Sequence, residues 1–361
     1  MYVIIVKGGV MRNLIIISIL TCSTALAEGY WSDPVKLPEV INHTPMSDSF
    51  GNHYHARISP DGKELYYTID VYAHFDDIFV ARYNQETEEW DSVTRLSVNM
   101  DDIRRELSPS ITADHSKLFW TAWERPGGYG AYDVWYAEWD SVAGDWGEPQ
   151  NAGPNVNTPG YEFTCFIAPD GKTLYASSWW DADGEDIFKH TWEDTGWGPR
   201  EQVFEKMHPW GDQYSPWISA DGKWIYFSQC ATPSYGGRST FRSRWEGEYF
   251  GEPEWLGEPI CLPGRYSFND CPSLTPDGSR LYFASNRPDS NYQGQYIWYS
   301  DYINAVEEEL EENSYNLDVF PVSKKETNIS YSIQESQEVF CGVFDTVGNL
   351  VRILASEQQT G

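Results

Sequence analysis

The sequence predicts an all-β protein: a five-bladed β-propeller closed by its own N-terminal strand, then part of a small β-sandwich. Two observations carry the propeller. A ten-residue phrase returns five times, reading Ser-Pro-Asp-Gly-Lys-Glu-Leu-Tyr-Tyr-Thr at 59–68 and Thr-Ala-Asp-His-Ser-Lys-Leu-Phe-Trp-Thr at 112–121, then recurring at 168–177, 219–228 and 275–284. Its Asp stands at Asp61, Asp114, Asp170, Asp221 and Asp277, a period of 51 to 56 residues. Such a period, built of short apolar runs and Gly-rich turns, marks a propeller. The second observation is an aromatic residue opening an outer strand. It occurs at Trp90, Trp146, Trp197 and Phe250, and a fifth time out of order as Trp31-Ser-Asp-Pro34, ahead of the first phrase. The chain therefore starts with an outer strand and ends, near Tyr299, with three inner ones. Joining them removes the open edge, as ring closure does.

Within each repeat, an alternating strand such as 55–58 runs into the Ser-Pro-Asp-Gly turn, where Pro sets φ and Gly tolerates φ > 0. An apolar and aromatic second strand follows, as at 64–68 and 224–228. A third strand opens at Asp77-Ile-Phe, Asp133-Val-Trp, Asp186-Ile-Phe, Thr240-Phe and Tyr296-Ile-Trp. The acidic stretch 301–316 reads as a solvated helix or linker. Residues 317–361 alternate apolar and polar positions between turn residues, as the first strands of a β-sandwich would.

The N-terminus reads as an address. Met11 and Arg12 precede an apolar run at 14–20, and Ala25-Leu26-Ala27 matches the small-x-small cleavage rule, so 1–27 is expected to be a signal peptide with Met11 a more natural start than Met1. The run is short of the ~20 residues a membrane helix needs, and Thr21 before Cys22 is a poor match to a lipidation signal. Export allows disulfides; of Cys165, Cys230, Cys261, Cys271 and Cys341, the pair bracketing a short loop, Cys261 and Cys271, is expected to join. An odd count at irregular spacing argues against a CxxC zinc site.

The 55 acidic against 25 basic side chains give a formal net charge of −30. That argues against nucleic acid, whose affinity comes from Lys and Arg displacing counterions, and suits an exported protein that attracts divalent cations.

The phrase Ser-Pro-Asp-Gly-Lys-x-Leu-Tyr-Tyr followed by Asp-Ile-Phe resembles the WD40-like PD40 repeat of TolB-type propellers over residues 31–299. His115-Ser116 departs from it at the second turn, and the Asp of Asp-Ile-Phe is missing from the last two repeats. The tail resembles the C-terminal sorting domain of the type IX secretion system, or a FlgD-like Ig module, through Phe320-Pro321, residues 327–333 and Val343-Phe344-Asp345; it lacks the Asn-Pro after Phe-Pro and stops before the last strands. The resemblances imply a bacterial-envelope or secreted location, with cell surface or periplasm as the alternatives. The domains expected are thus 1–27 signal, 28–300 propeller, 301–316 linker and 317–361 partial sorting module.

Eight residues before each repeat Asp stand His53, Glu106, Glu162, Gln213 and Asn269. Five polar residues at one phase would ring a channel mouth, either to bind a ligand or to bond channel water and neighbouring backbone. Trp123-Glu124-Arg125, Trp179-Trp180-Asp181, Asn286-Arg287, Tyr54, Arg104, Arg105, Tyr161 and Asp270 fall on the same face, where aromatic platforms beside charged groups suit sugars. The alternative is that the Trp side chains pack between blades. Asp76, Asp77, Asp133, Asp181, Asp183 and Asp186 could hold Ca²⁺, or bond backbone in the adjacent loop; no EF-hand spacing is present, and no other cofactor is indicated. No Gly-x-Ser-x-Gly, His-Glu-x-x-His or P-loop motif occurs. The reading is a monomeric, non-enzymatic propeller binding a glycan, peptidoglycan or envelope protein through its channel face. Its rivals are a glycoside hydrolase or lyase using Glu106, Glu162 and Asp270, and a structural interaction module of an envelope complex.

Overall fold

The structure, a computed structural model, describes residues 29–42, 52–70, 76–100, 104–179, 184–204, 211–230, 237–262, 267–287 and 294–303, together with the backbone of six further strands near the chain ends. Among these residues helix is confined to four, Glu39–Asn42, and the protein is all-β. No helix in them is long and apolar enough to cross a membrane.

The chain from Gly29 to Ile303 forms one compact unit. Its strands follow each other in antiparallel groups. The first is Asn52–Ile58, Glu64–Asp70, Asp76–Asn84 and Glu89–Arg95. The second holds Glu106–Ile111, Lys117–Trp123 and Tyr132–Asp140, with short outer strands Asp145–Trp146 and Gln150–Asn151. The third holds Tyr161–Ile167, Thr173–Trp179 and Asp186–Glu193, edged by Gly196–Trp197 and Glu201–Gln202. The fourth is Gln213–Ile218, Trp224–Gln229, Ser239–Arg244 and Glu254–Trp255. The last runs Asn269–Leu274, Arg280–Ser285 and Tyr296–Ile303. Its outer neighbours come from the other end of this unit: Trp31 pairs with Tyr302 and Lys36 with Trp298.

The repeated Asp has a local cause. In the first turn Asp61 Oδ1 accepts Ser59 Oγ at 2.6 Å and Lys63 N at 3.1 Å, while Ser59 Oγ accepts Glu64 N at 2.9 Å. Thr112–Asp114, Ser219–Asp221 and Thr275–Asp277 repeat the arrangement. Ala168 has no hydroxyl, and Asp170 instead accepts Lys172 N, Thr173 N and Thr173 Oγ1. These bonds stabilise the charged form and pull Asp114 and Asp221 down to about 2. The turn's left-handed position is Gly62, Gly171, Gly222 or Gly278, and His115 adopts it at φ 56°. The non-Gly residue costs some strain, and its imidazole lies 3.4 Å from Glu64.

Each inner strand also carries a β-bulge at one phase, lying between Tyr54 and Arg57, Leu107 and Ser110, Glu162 and Thr164, Tyr214 and Trp217, and Asp270 and Ser273. At the bulge and along the free edge of the inner strand, backbone N–H groups lie outside the ladder, and hydroxyls of the adjoining group take them: Thr164 Oγ1 accepts Ser215 N at 2.8 Å, Ser108 Oγ accepts Cys165 N at 3.1 Å, and Ser273 Oγ accepts Ile58 N at 3.0 Å. The core lies between neighbouring groups; Val134, Val156, Leu174 and Phe119 pack with Trp197 in one such layer.

The disulfide expected between Cys261 and Cys271 does not form; both are buried free thiols. Cys261 has another job. Its sulfur accepts Thr240 N at 3.3 Å and donates to Thr240 O at 3.6 Å. Asn42, Asn99 and Asn157 bond Ile297, Ile78 and Val134 in the same two-way fashion. A small polar side chain thus pins the third strand where an outer strand would otherwise pair with it. The sequence signal, unread above, is an apolar–polar step at Ile41-Asn42, Val98-Asn99, Val156-Asn157 and Ile260-Cys261, its apolar member buried each time.

A second unit gathers residues 1–28 and 304–361. There Leu317–Ser323 pairs with Glu326–Tyr331, and Gln337–Phe344 with Leu350–Gln359. Val3–Gly8 pairs with Leu14–Ser18 and with Gln337–Phe344, so stretches of the expected signal segment are strands here. Residues 304–316 of the expected linker lie outside the described residues, and 301–303 complete the strand Tyr296–Ile303.

Candidate functional site

The five residues eight positions before the repeat Asp are all buried, none more than 2 % exposed. Glu106 accepts Met100 N at 3.2 Å with one oxygen and Arg125 Nη1 at 3.3 Å with the other. Glu162 accepts Thr158 N at 3.0 Å, Thr158 Oγ1 at 2.7 Å and Ser178 Oγ at 2.8 Å. Asn269, with its amide turned so that both ends are satisfied, accepts Leu262 N at 3.3 Å and donates to Ser285 Oγ at 2.9 Å. Met100, Thr158 and Leu262 each directly follow the pin residue. At Glu106, Glu162 and Asn269 the shared phase therefore holds the loop into the inner strand, satisfying an N–H that would otherwise be buried unpaired. His53 stacks on Tyr296 at 6.1 Å, and Gln213 sits at the matching place in its strand.

Arg125 and Arg287 are equivalent struts. Arg125 donates to Val98 O at 3.0 Å with its guanidinium 5.8 and 5.5 Å from the rings of Trp120 and Trp135. Arg287 donates to Ile260 O at 2.6 Å between Phe283 and Trp298, at 4.9 and 5.2 Å. Val98 and Ile260 are the apolar partners of the pin step, so these cations brace the same loop.

A residue without any sequence signal fills the middle of the inner strands. Arg57, 2 % exposed, donates to Pro272 O and, at 3.1 Å, to Pro216 O, and it lies 5.8 Å over the Phe166 ring. Burial pushes its pKa down to about 10, against the pull of the Cys271 and Cys165 thiols.

The carboxyls around the inner strands titrate high. Burial raises Glu162 to about 7 and Asp76 to about 6, and Asp270 moves up as well, opposed by Arg238 at 3.1 Å. Among the described residues no three His, Cys, Asp or Glu side chains gather to hold a metal ion. The carboxylates offered for Ca²⁺ have other partners: Asp76 takes Tyr54 OH, Asp77 a fork from Arg95, Asp133 the N–H groups of Tyr129 and Gly130, and Asp186 the Gln202 amide. Asp181, Asp183 and Trp180 lie outside the described residues.

What is exposed is aromatic. Tyr161 stacks on Phe163 at 5.3 Å and 5°, and meets Trp179 at 6.0 Å; Tyr132 lies 5.1 Å from Phe163. Tyr161 is 40 % and Trp179 49 % exposed. Arg105 stands beside Tyr132, 3.5 Å from Asp76, and Trp123 pairs with Tyr132 across the strands. Four rings thus form a shelf with a guanidinium–carboxylate pair at one end. Of the described residues singled out from sequence, the structure brings Arg105, Trp123, Tyr161 and Trp179 to this shelf and sets His53, Glu106, Arg125, Glu162, Gln213, Asn269, Asp270 and Arg287 into the frame beneath.

No family model and no curated protein matches the chain. Among solved structures it is similar to TolB from Acinetobacter baumannii, with 16 % identity over 70 % of this chain and a TM-score of 0.45; it spans about half, 54 %, of that protein. It is also similar to an α-L-arabinofuranosidase from Podospora anserina, with 9 % identity over 77 % of this chain and 97 % of that one, TM-score 0.48. A xylan β-1,4-xylosidase from Bacillus halodurans shares 15 % identity over 71 % of this chain and 54 % of its own, TM-score 0.47.

Proposed function

We propose that the chain is an exported five-bladed propeller, its ring closed by Tyr30–Trp31 and Val35–Lys36, that binds a glycan or peptidoglycan on its channel face without cleaving it. The tail at 317–361 would be part of a secretion-sorting module. The observation that carries the binding reading is the exposed ring pair Tyr161 and Trp179, backed by the buried Tyr132 with the half-exposed Arg105 beside it. Aromatic faces take the C–H face of a sugar ring, and the Arg105 guanidinium, which the buried Asp76 holds in place, can bond its hydroxyls. The hydrolase alternative needs Glu106 and Glu162 to reach substrate, whereas both are buried with their oxygens bonded to the frame.

The test is a thermal-shift titration of the full chain with soluble polysaccharides and muropeptides, with reducing ends assayed in the same samples. A stabilising glycan, no new reducing ends, and at least about tenfold weaker binding in Trp179→Ala are expected. New reducing ends lost in Glu106→Gln or Glu162→Gln would make the protein a glycosidase. If no glycan binds and an envelope protein does, the shelf is a protein-docking face.

A further inference from the structure

On the side of the Asp turns, away from the shelf, the third group's turn meets the second strand of the group before it and leaves a cleft of about 230 Å³. Lys117 and Tyr136 form one wall, Gly171 and Lys172 the rim, and Trp192 the other wall, over a floor of Phe119 and Trp197. The rings are braced against each other: Phe119 stacks on Tyr136 at 5.5 Å, and Trp192 meets Trp197 edge to face at 5.2 Å. Trp192 is 39 % exposed.

The chain supplies its own controls, because the same seam recurs around the repeats. Between the first two groups the place of Gly171 is taken by His115, in the same left-handed conformation, and the place of Lys117 by Glu64. There the imidazole stands 3.4 Å from Glu64, which also accepts Tyr66 OH at 2.6 Å and Arg82 Nε at 3.0 Å, so the seam is filled and its polar groups are matched. In the last group Arg280 replaces Lys117; Asp301 grips it at 2.6 and 3.0 Å, with its guanidinium 4.1 Å over Tyr299. In the seam at issue no atom lies within 4 Å of where a Gly171 Cβ would be, as at the other turn glycines Gly62, Gly222 and Gly278, and what sets it apart is the Lys117 ammonium, 5.5 and 5.6 Å from the Tyr136 and Trp192 rings.

The charge of this lining is unusual for the chain. With 55 acids to 25 bases overall, the described lining has two ammonium groups and no carboxylate. Both oxygens of Asp170 bond the turn, whereas Glu138, 59 % exposed, pairs with the Lys117 ammonium at 3.0 Å and must yield that place to a ligand carboxylate. An aromatic cleft with paired cations fits a planar-faced ligand bearing one negative charge. We propose that this cleft binds a carboxylate-bearing pyranose, a uronic acid residue. Its ring lies against Trp192 and Tyr136, and its carboxylate lies between Lys117 and Lys172.

The experiment is calorimetric titration of the full chain with glucuronate, glucose and inorganic phosphate at low salt. Glucuronate should bind with Kd on the order of 1 mM, and glucose and phosphate at least tenfold more weakly. Lys172→Gln, on an exposed turn, and Trp192→Ala should each weaken glucuronate about tenfold. Gly171→His, which copies the filled seam, should abolish it. Trp179→Ala should leave it unchanged, which separates this site from the channel face. Equal binding of glucose would overturn the role of the lysines. Equal binding of phosphate would overturn the sugar, and no binding of glucuronate, or an unaffected Lys172→Gln, would overturn the site.

Discussion

Replacing Glu162 by Gln should make the protein more stable above neutral pH, not less. Burial raises the Glu162 carboxyl from its ordinary 4.5 to about 7, although Thr158 N, Thr158 Oγ1 and Ser178 Oγ all favour the charged form. The folded chain therefore holds this proton to a higher pH than the unfolded chain does. Between 4.5 and 7 the folded state binds more protons, so stability falls as pH rises through that window and stays lower above it. At about 1.4 kcal/mol per pH unit the loss comes to about 3 kcal/mol. Gln cannot ionise, its carbonyl can accept Thr158 N, and its amide can donate to the two hydroxyls, which rotate to accept. Equilibrium urea unfolding of both proteins should show a gap within about 1 kcal/mol at pH 5, opening to about 3 kcal/mol in favour of the variant at pH 9. Asp76 and Glu185, raised by burial to about 6 and about 8, titrate in both proteins and cancel in the difference. A gap independent of pH, or a variant less stable at pH 9, would refute the reasoning by showing that the ionised carboxylate is what the Thr158 loop requires.

Three further outcomes follow from the frame. Arg57→Met leaves the Pro216 and Pro272 carbonyls without their donor and should lower unfolding stability by about 3 kcal/mol at pH 7; a loss under about 1 kcal/mol would mean that desolvating the guanidinium cancels its bonds. Burial pushes the Cys165, Cys261 and Cys271 thiols up to about 12, so peptide mapping after treatment of the native chain with a thiol reagent should find them unlabelled and Cys230 labelled, and rapid labelling of Cys261 would remove its pinning role. Deleting residues 29–36 strips the pairing of Trp31 with Tyr302 and Lys36 with Trp298 and should lower Tm by roughly 10 °C; an unchanged Tm would mean that the last group of strands does not depend on this pairing.

The all-β class and the strand order were legible because the Asp turn is a local device: its bonds span two to five residues, so spacing alone exposes it. The strand from the chain's start was legible too, since Trp31-Ser-Asp-Pro34 repeats an outer-strand pattern out of place. The polar ring was visible as a register, but not what it is for. Whether Glu106 faces a ligand or Met100 N depends on where a loop six residues away lies, and no periodicity reports that. Arg57 was invisible for the same reason: its acceptors are 159 and 215 residues away. The Cys261 pairing failed because loop length was read as proximity, whereas the thiol occupies an Asn position in the pinning pattern.

In a chain of repeats, positions that recur answer a problem every repeat shares, and recognition must come from those that differ. The Asp turn recurs in all five groups, the pin at Asn42, Asn99, Asn157 and Cys261, and the backbone-bonding polar residue at Glu106, Glu162 and Asn269, and each satisfies backbone. The shelf does not. At the position of Tyr161 the other groups carry Asn52, Arg105, Asp212 and Phe268; at that of Trp179 they carry Asp70, Trp123, Cys230 and Asn286. The second and third groups thus hold most of the aromatic surface, and the first and fourth present charged and small polar residues at the same level. Such a face has one stacking side and one hydrogen-bonding side, which a five-fold symmetric ring would lack. Tyr161→Asn transplants the first group's own residue to an exposed position, so stability should stay within about 0.5 kcal/mol. The Phe163 ring beneath it loses its stacked partner, and the glycan binding proposed for this face should fall about tenfold, read by the same thermal-shift titration. Unchanged binding in a folded variant would remove the shelf from the recognition surface and shift attention to the Arg105–Asp76 end of the face.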